Sequence, residues 1–218
     1  MTLIARKALC FLCTSVAQLG SLSPFLAAQL GSLSPFLASP FLASLLLAAS
    51  QTGHCYENGA PPAHTGGFGE PDCSLCHSDS DKNPPDGMLK IDGLPGRYSP
   101  GVVYDFEVVL RHPELKSGGF QLAIRSAGGE PAGEVISPSG RTRIVADAGQ
   151  RYLQHSNEGR EPEKDGFIRW RVRWIAPLDG MPQSTVYLHV AANAANDDIS
   201  ALGDYIFTLE RELREDTQ

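Results

Sequence analysis

The sequence predicts an all-β sandwich of about seven strands, and three observations carry that expectation. Short runs alternate apolar and polar residues and are rich in Val, Ile, Tyr, Phe and Trp; Gly, Pro, Asn and Asp cluster between them; and beyond residue 88 no long apolar period of helical spacing appears. In chain order the strands are a short one at Leu89–Ile91, then Val102–Leu110, Phe120–Arg125, a short one at Arg143–Val145, Phe167–Trp174, Thr185–Ala191 and Tyr205–Leu209. Turn chemistry separates them at Lys116–Gly119, Ser137–Gly140, Pro177–Gly180 and Asn196–Asp198. Leu209–Glu215 is a candidate polar helical turn, and residues 210–218 read as a polar tail. In Phe167–Trp174 the alternation puts Arg169, Arg171 and Arg173 on a solvated sheet face. It puts Trp170 and Trp174 on the other, as core or as packing against a cofactor.

Residues 1–50 differ from everything after them. They contain Arg6 and Lys7, no Asp or Glu, and a Leu/Ala/Ser/Phe tract ending in Ser44-Leu45-Leu46-Leu47-Ala48-Ala49-Ser50, which is the layout of an export signal cleaved near Ser50. Ala17–Ala27 recurs unchanged as Ala28–Ala38 and is echoed at Ser39–Ala43, a duplication too short for a solenoid unit. Pro24, Pro35 and Pro40 interrupt every window long enough for a clean transmembrane helix, so no permanent span is expected after signal removal. The resulting organisation is a signal at 1–50, an N-terminal segment at 51–88, the sandwich at 89–209 and the tail. Removing the signal takes two cations and no acid, shifting the formal charge from −7 to about −9. That disfavours nucleic acid and suits a cationic protein partner.

The N-terminal segment carries the chemistry. Cys73-Ser74-Leu75-Cys76-His77 places two thiols three residues apart with an imidazole immediately after, the sequence of c-type haem attachment. One turn of chain lets both sulfurs face the same porphyrin edge for thioether formation, and the next residue can turn its ring onto the iron. Two other readings remain open: a Cys73–Cys76 disulfide, or a zinc site completed by Cys55 and by His54 or His64. Thioredoxin-like chemistry fits less well, because Gly/Pro-rich stretches, Gly66–Pro71 and Asn83–Gly87, flank the motif where a βαβ setting would be needed. Cys10 and Cys13 would leave with the signal.

An ordered set of motifs supports a resemblance. Gly59-Ala60-Pro61, Thr65-Gly66-Gly67-Phe68-Gly69-Glu70 leading into the Cys73–His77 motif, Gly118–Leu122, Tyr152–Ser156, Trp174–Pro177 and Val190–Asn196 with Gly203-Asp204 together resemble the bacterial Reeler-like family known as choice-of-anchor V. The resemblance spans about Gly59 to Phe207. It implies an Ig-like (Reeler-type) antiparallel β-sandwich in an exported protein, with a loop-rich N-terminal haem-attachment segment. Family members often end in a sorting or anchoring tail, whereas this sequence ends in Arg211–Gln218, too polar to anchor.

With haem bound, Cys73 and Cys76 would hold it covalently and His77 would be the proximal iron ligand. His155 is the preferred distal ligand, because Tyr152–Asn157 falls between predicted strands and a similar Tyr-x-x-His occurs in Reeler-like domains. Met88, eleven residues past the motif, is the less favoured one and would raise the potential. His54, His64, His112, His189 and Met181 complete the candidates; His189 reads as solvent-side on its strand and His112 as an exposed turn residue before Pro113. Asn193, Asn196, Asp197, Asp198 and Asp204 are oxygen ligands suited to calcium, or simply turn formers. No G-x-S-x-G and no P-loop occurs, so substrate catalysis is not expected. The expected function is electron transfer by an exported protein carrying one haem c, periplasmic or at the cell surface, toward a periplasmic or surface redox protein. The alternative is a non-catalytic extracellular binding or structural module whose Cys73–Cys76 pair is a disulfide or metal site.

Overall fold

A computed structural model describes residues 56, 58–178, 185–198 and 200–216. The signal at 1–50, with Cys10 and Cys13, and His54, Cys55 and Met181 lie outside the described residues. Among the described residues ten strands form two sheets: β1 (Met88–Asp92), β2 (Arg97–Tyr98), β3 (Val103–Arg111), β4 (Ser117–Ser126), β5 (Glu134–Ile136), β6 (Thr142–Asp147), β7 (Gln150–His155), β8 (Phe167–Ile175), β9 (Thr185–Ala195) and β10 (Tyr205–Glu215). One sheet has the order β1-β3-β8-β5 and the other β2-β10-β9-β4-β7-β6. Neighbours run antiparallel except β2 and β10, which pair parallel through Arg97↔Arg214 and Tyr98↔Glu215.

The core lies between the sheets and follows the alternation read from the sequence. Ile168, Trp170, Val172 and Trp174 of β8 meet Phe120, Leu122 and Ile124 of β4 and Val186, Leu188 and Val190 of β9, all buried. Each buried indole finds a carbonyl for its N–H: Trp170 Nε1 donates to Gly159 O at 2.7 Å and Trp174 Nε1 to Ala132 O at 2.8 Å. Truncating a tryptophan so placed costs about 3–5 kcal/mol. Arg169, Arg171 and Arg173 lie on the opposite, outer face of β8, as expected. Arg173 clasps Asp105 with two bonds of 2.8 and 2.9 Å, and Arg169 reaches Glu163 at 2.8 Å and Glu107 at 3.3 Å.

The sequence reading needs four corrections. First, β2, β5 and β7 are strands it missed; β2 and β5 are two and three residues long, and β7 has only Leu153 as an aliphatic residue on its inward face, between Arg151 and His155. Second, the run taken as a polar turn and tail is the second half of β10, in which Leu213 is fully buried opposite Val186. Third, His155 is the last residue of β7 rather than a loop residue. Fourth, His112 and His189 are buried: the ring of His112 stacks on Tyr205 at 3.8 Å, and His189 is covered by Gly67 and Phe68 with its Nε2 2.9 Å from Glu210.

The covering of His189 belongs to a larger feature. The segment Asn58–Gly87 lies across the outer face of the six-stranded sheet, making a third layer. Gln121 Nε2 donates to Pro61 O at 2.9 Å and its Oε1 accepts from His64 N at 2.7 Å, while Gln154 Nε2 donates to Asn58 O at 3.2 Å. Further along, Glu70 bonds Arg125 and accepts from Tyr152 Oη at 2.7 Å, and Asn83 N donates to Ile206 O at 2.8 Å. This is why β4 and β9 are buried on both faces over most of their length.

Candidate functional site

Cys73–Leu75 forms a single 3-10 turn, and local chemistry explains why it starts there. Asp72 caps it, accepting from Ser74 N at 2.8 Å and from Lys82 Nζ at 3.0 Å. Burial raises the Asp72 carboxyl, but the Ser74 and Lys82 bonds outweigh burial and hold it below its ordinary value. Within the turn, Cys73 O accepts from both Cys76 N at 3.2 Å and His77 N at 3.1 Å, so the two thiols and the imidazole issue from one coil of backbone. Neither thiol is bonded to another cysteine; Cys76 is exposed and Cys73 partly covered. Burial, reinforced by the adjacent Asp72 carboxylate, pushes the Cys73 thiol up to about 12, which leaves it protonated and a poor thiol–disulfide nucleophile.

The ring of His77 is fixed by β9 and β10. Its Nδ1 lies 2.7 Å from Oδ2 of Asp204, a carboxylate with no exposed surface that also accepts from Asn193 Nδ2 at 3.0 Å and Asn196 N at 3.2 Å. A carboxylate can only accept, so the neutral imidazole carries its proton on Nδ1 and presents a lone pair at Nε2. A carboxylate bonded to the outer nitrogen is the arrangement that orients metal-binding histidines and raises their basicity.

The motif borders a cavity of about 280 Å3 at one end of the six-stranded sheet, lined by Cys73, Leu75, Cys76 and His77 and by His64, Gly119, Phe120, Gln121, His155 and Asn193. Two of the residues singled out from sequence, His77 and His155, therefore share one cavity although 78 positions separate them in the chain. His155 is 8 % exposed, and its Nδ1 accepts from Phe120 N at 3.1 Å with Phe120 O at 3.4 Å. Burial lowers its pKa, so the ring is neutral. Gly119 makes the approach feasible, because a Cβ there would stand 2.7 Å from His155 Cε1. Met88 is elsewhere: it begins β1, is 40 % exposed, faces Arg111 in register and does not line the cavity. His64 lines the cavity, with Nδ1 at 3.0 Å from Pro62 O and 3.1 Å from Pro61 O.

The residues present fit a haem. The donor set is two thiols on one turn plus three imidazoles around one cavity, with Leu75 and Phe120 as apolar walls. Asn193 Oδ1, buried on the same wall, has no partner of its own, which marks a polar point open to a bound group. Among the described residues no three of His, Cys, Asp and Glu come close enough to share a metal ion. The residues weighed for calcium bond one another instead: Asp198 N donates to Asn196 Oδ1 at 3.0 Å, Ser200 N to Asp198 Oδ1 at 2.8 Å, and Asp204 is engaged with His77. Sequence reasoning named Asp204 only as an oxygen ligand or turn former and missed it as the partner of His77; it also missed Asp72 as the cap, for which an Asp directly before the first motif cysteine was the signal.

Comparisons with known proteins place no family model on the chain, and no curated protein matches it. Among solved structures, it is similar to the Reelin-N domain of F-spondin, at 20 % identity with a TM-score of 0.45 over 66 % of this chain and 96 % of that one. It is likewise similar to the reeler domain of human F-spondin, at 21 % identity and a TM-score of 0.42 over 62 % of this chain and 93 % of the other. AggA, the major subunit of aggregative adherence fimbriae type I from Escherichia coli, is similar at 11 % identity, with a TM-score of 0.38 over 64 % of this chain and all of its own.

Proposed function

We propose that this is an exported, Reeler-like β-sandwich protein that carries one covalently attached haem c and transfers electrons. One observation carries the reading: Cys73, Cys76 and His77 emerge from a single capped turn at a cavity where the carboxylate of Asp204 holds the His77 ring by Nδ1, with the Asn193 amide 3.5 Å from Nε2. Haem supplies a one-electron iron couple whose potential its ligands and surroundings set. The chain's own residues do the rest. The Cys73 and Cys76 thiols would hold the haem, each adding across a vinyl group with the sulfur on one carbon and the hydrogen on the other, so the tether would need no oxidant. His77 would be the residue that holds the iron through Nε2, and Asp204, which keeps the proton on Nδ1, would raise the basicity of that ring. Phe120, buried, gives the cavity an apolar wall, while Leu75, 65 % exposed, offers an apolar contact to a docking partner. The excess of acid over base in the mature region favours a cationic redox partner, periplasmic or at the cell surface.

The experiment is expression of the full chain with a haem-attachment system, followed by haem staining on a denaturing gel and a pyridine haemochrome spectrum. Covalent haem that is lost in the Cys73→Ala, Cys76→Ala double variant is the expected result. A folded protein without stainable haem would falsify the cytochrome reading.

A further inference from the structure

We infer that His64, rather than His155, is the second axial ligand of this site; the inference rests on the haem reading above and goes beyond it by choosing between two imidazoles that line the same cavity. The choice follows from where each ring carries its proton. An imidazole that binds iron through Nε2 needs a lone pair there, and therefore needs its proton on Nδ1.

His64 meets that requirement. Its Nδ1 faces two backbone carbonyls, Pro62 O at 3.0 Å and Pro61 O at 3.1 Å, and carbonyls only accept. Nδ1 is thus the protonated nitrogen and Nε2 keeps its lone pair, the same tautomer that Asp204 imposes on His77. The backbone is fixed as well. His64 N donates to Gln121 Oε1 at 2.7 Å, and Gln121, almost fully buried, is held in turn by Pro61 O and Gln154 Oε1, each at 2.9 Å. The residue before it, Ala63, has a φ of +65°, the left-handed region that a residue with a Cβ enters only when its surroundings hold it there.

His155 has the opposite tautomer. A backbone N–H only donates, and Phe120 N–H is directed at His155 Nδ1 at 3.1 Å, so Nδ1 holds the lone pair and the proton sits on Nε2. To ligate iron through Nε2, His155 would have to move its proton to Nδ1, against the Phe120 N–H. That would strand a buried backbone donor in exchange for the 3.4 Å contact to Phe120 O. The ring is instead a structural acceptor that ends the β4–β7 pairing, with Gly119 kept small to admit it.

The test is the spin state of the haem-loaded full chain, read by optical and electron paramagnetic resonance spectra. The expected result is a low-spin, bis-imidazole signature in the parent and in His155→Gln. His64→Gly should turn high-spin and regain the low-spin signature on addition of imidazole, which shows that the variant is folded and only a ligand is missing. His64→Met should stay low-spin with a higher potential, since a thioether replaces an imidazole. A low-spin bis-imidazole spectrum surviving in His64→Gly without added imidazole, its loss in His155→Gln, or a high-spin parent would each overturn the assignment while leaving the covalent haem in place. A chain with no covalent haem would overturn the haem reading and this assignment together.

Discussion

The outer faces of the two sheets started from similar sequence patterns and met opposite fates. On the four-stranded sheet, β8 points Arg169, Arg171 and Arg173 into solvent, where they pair with Glu107, Glu163 and Asp105. On the six-stranded sheet the outward positions of β4, β7 and β9 are also polar, with Gln121, Arg125, Tyr152, Gln154, His189 and Asn193, yet all of them are buried. The difference is the Asn58–Gly87 layer, which takes up those polar groups with its own backbone and carboxylates. Polar groups removed from water must be satisfied one by one, and a layer that does so becomes fixed in register. The covered face is therefore pinned group by group, while the open face keeps its charges paired in solvent.

The strongest way to break that contrast is at Glu70. Its carboxylate receives Arg125, Tyr152 Oη at 2.7 Å and Thr65 Oγ1 at 2.6 Å, and Arg125 is only 4 % exposed. Glu70→Ala leaves a buried guanidinium without its counter-charge, at a cost of about 3–5 kcal/mol. Urea denaturation should show the loss. A change under about 1 kcal/mol would mean that the layer is a loose cover rather than part of the fold.

How much of this was legible in the sequence depends on which face a residue serves. Inward alternation, as in Ile168-Arg169-Trp170-Arg171-Val172, reports apolar burial directly, so the long strands and both tryptophans could be read. The third layer could not: Gln121 and Gln154 look like solvent residues, and only the folded segment reveals that each has a buried partner. The same blindness hid β7, put His155 in a loop and left His189 in solvent. The Cys73–His77 turn was legible because its residues are contiguous, whereas Asp204 meets His77, and His64 reaches the cavity, only through the tertiary fold.

Asp204 offers a finer probe, read on function beside the folding cost of turning an amide NH2 toward one of its donors. Asp204→Asn keeps the shape but removes the negative charge behind His77, so that ring, the iron ligand of the proposed haem site, becomes less basic. A partner of this kind is worth roughly tenfold, which corresponds to a reduction potential raised by about 60 mV for one electron. Asp105→Asn, on the open face, should leave the potential where it was. Voltammetry of both variants separates the two faces, and equal shifts would erase the distinction.

Acidification should loosen the covered face in two stages. Burial depresses the His155 pKa, so the unfolded chain takes up a proton below its ordinary 6.5 while the folded ring does not. That contribution to stability is present above pH 6.5 and declines as the pH falls through that value. For Glu70, burial raises the pKa, but the bonds from Thr65, Tyr152 and Arg125 outweigh it and leave a net lowering. Its contribution is therefore full above the ordinary 4.5 and lost on further acidification. Denaturation midpoints measured from pH 8 to 3 should fall in both windows, and His155→Gln should remove the upper one alone. A parent whose midpoint is flat between pH 7 and 5 would contradict the neutral, buried ring.

The smallest expected effect lies on the open face, and it calibrates the others. Arg173 makes the best-formed ion pair there, two bonds to Asp105. Both side chains are about half exposed, and solvent and salt screen what the geometry gains. Arg173→Gln should leave the denaturation midpoint unchanged within error and insensitive to added salt. The same substitution at Arg125, on the covered face, should lower it markedly. A clear loss at Arg173 would show that the arginine row is a structural element in its own right, and the two faces would then differ in degree rather than in kind.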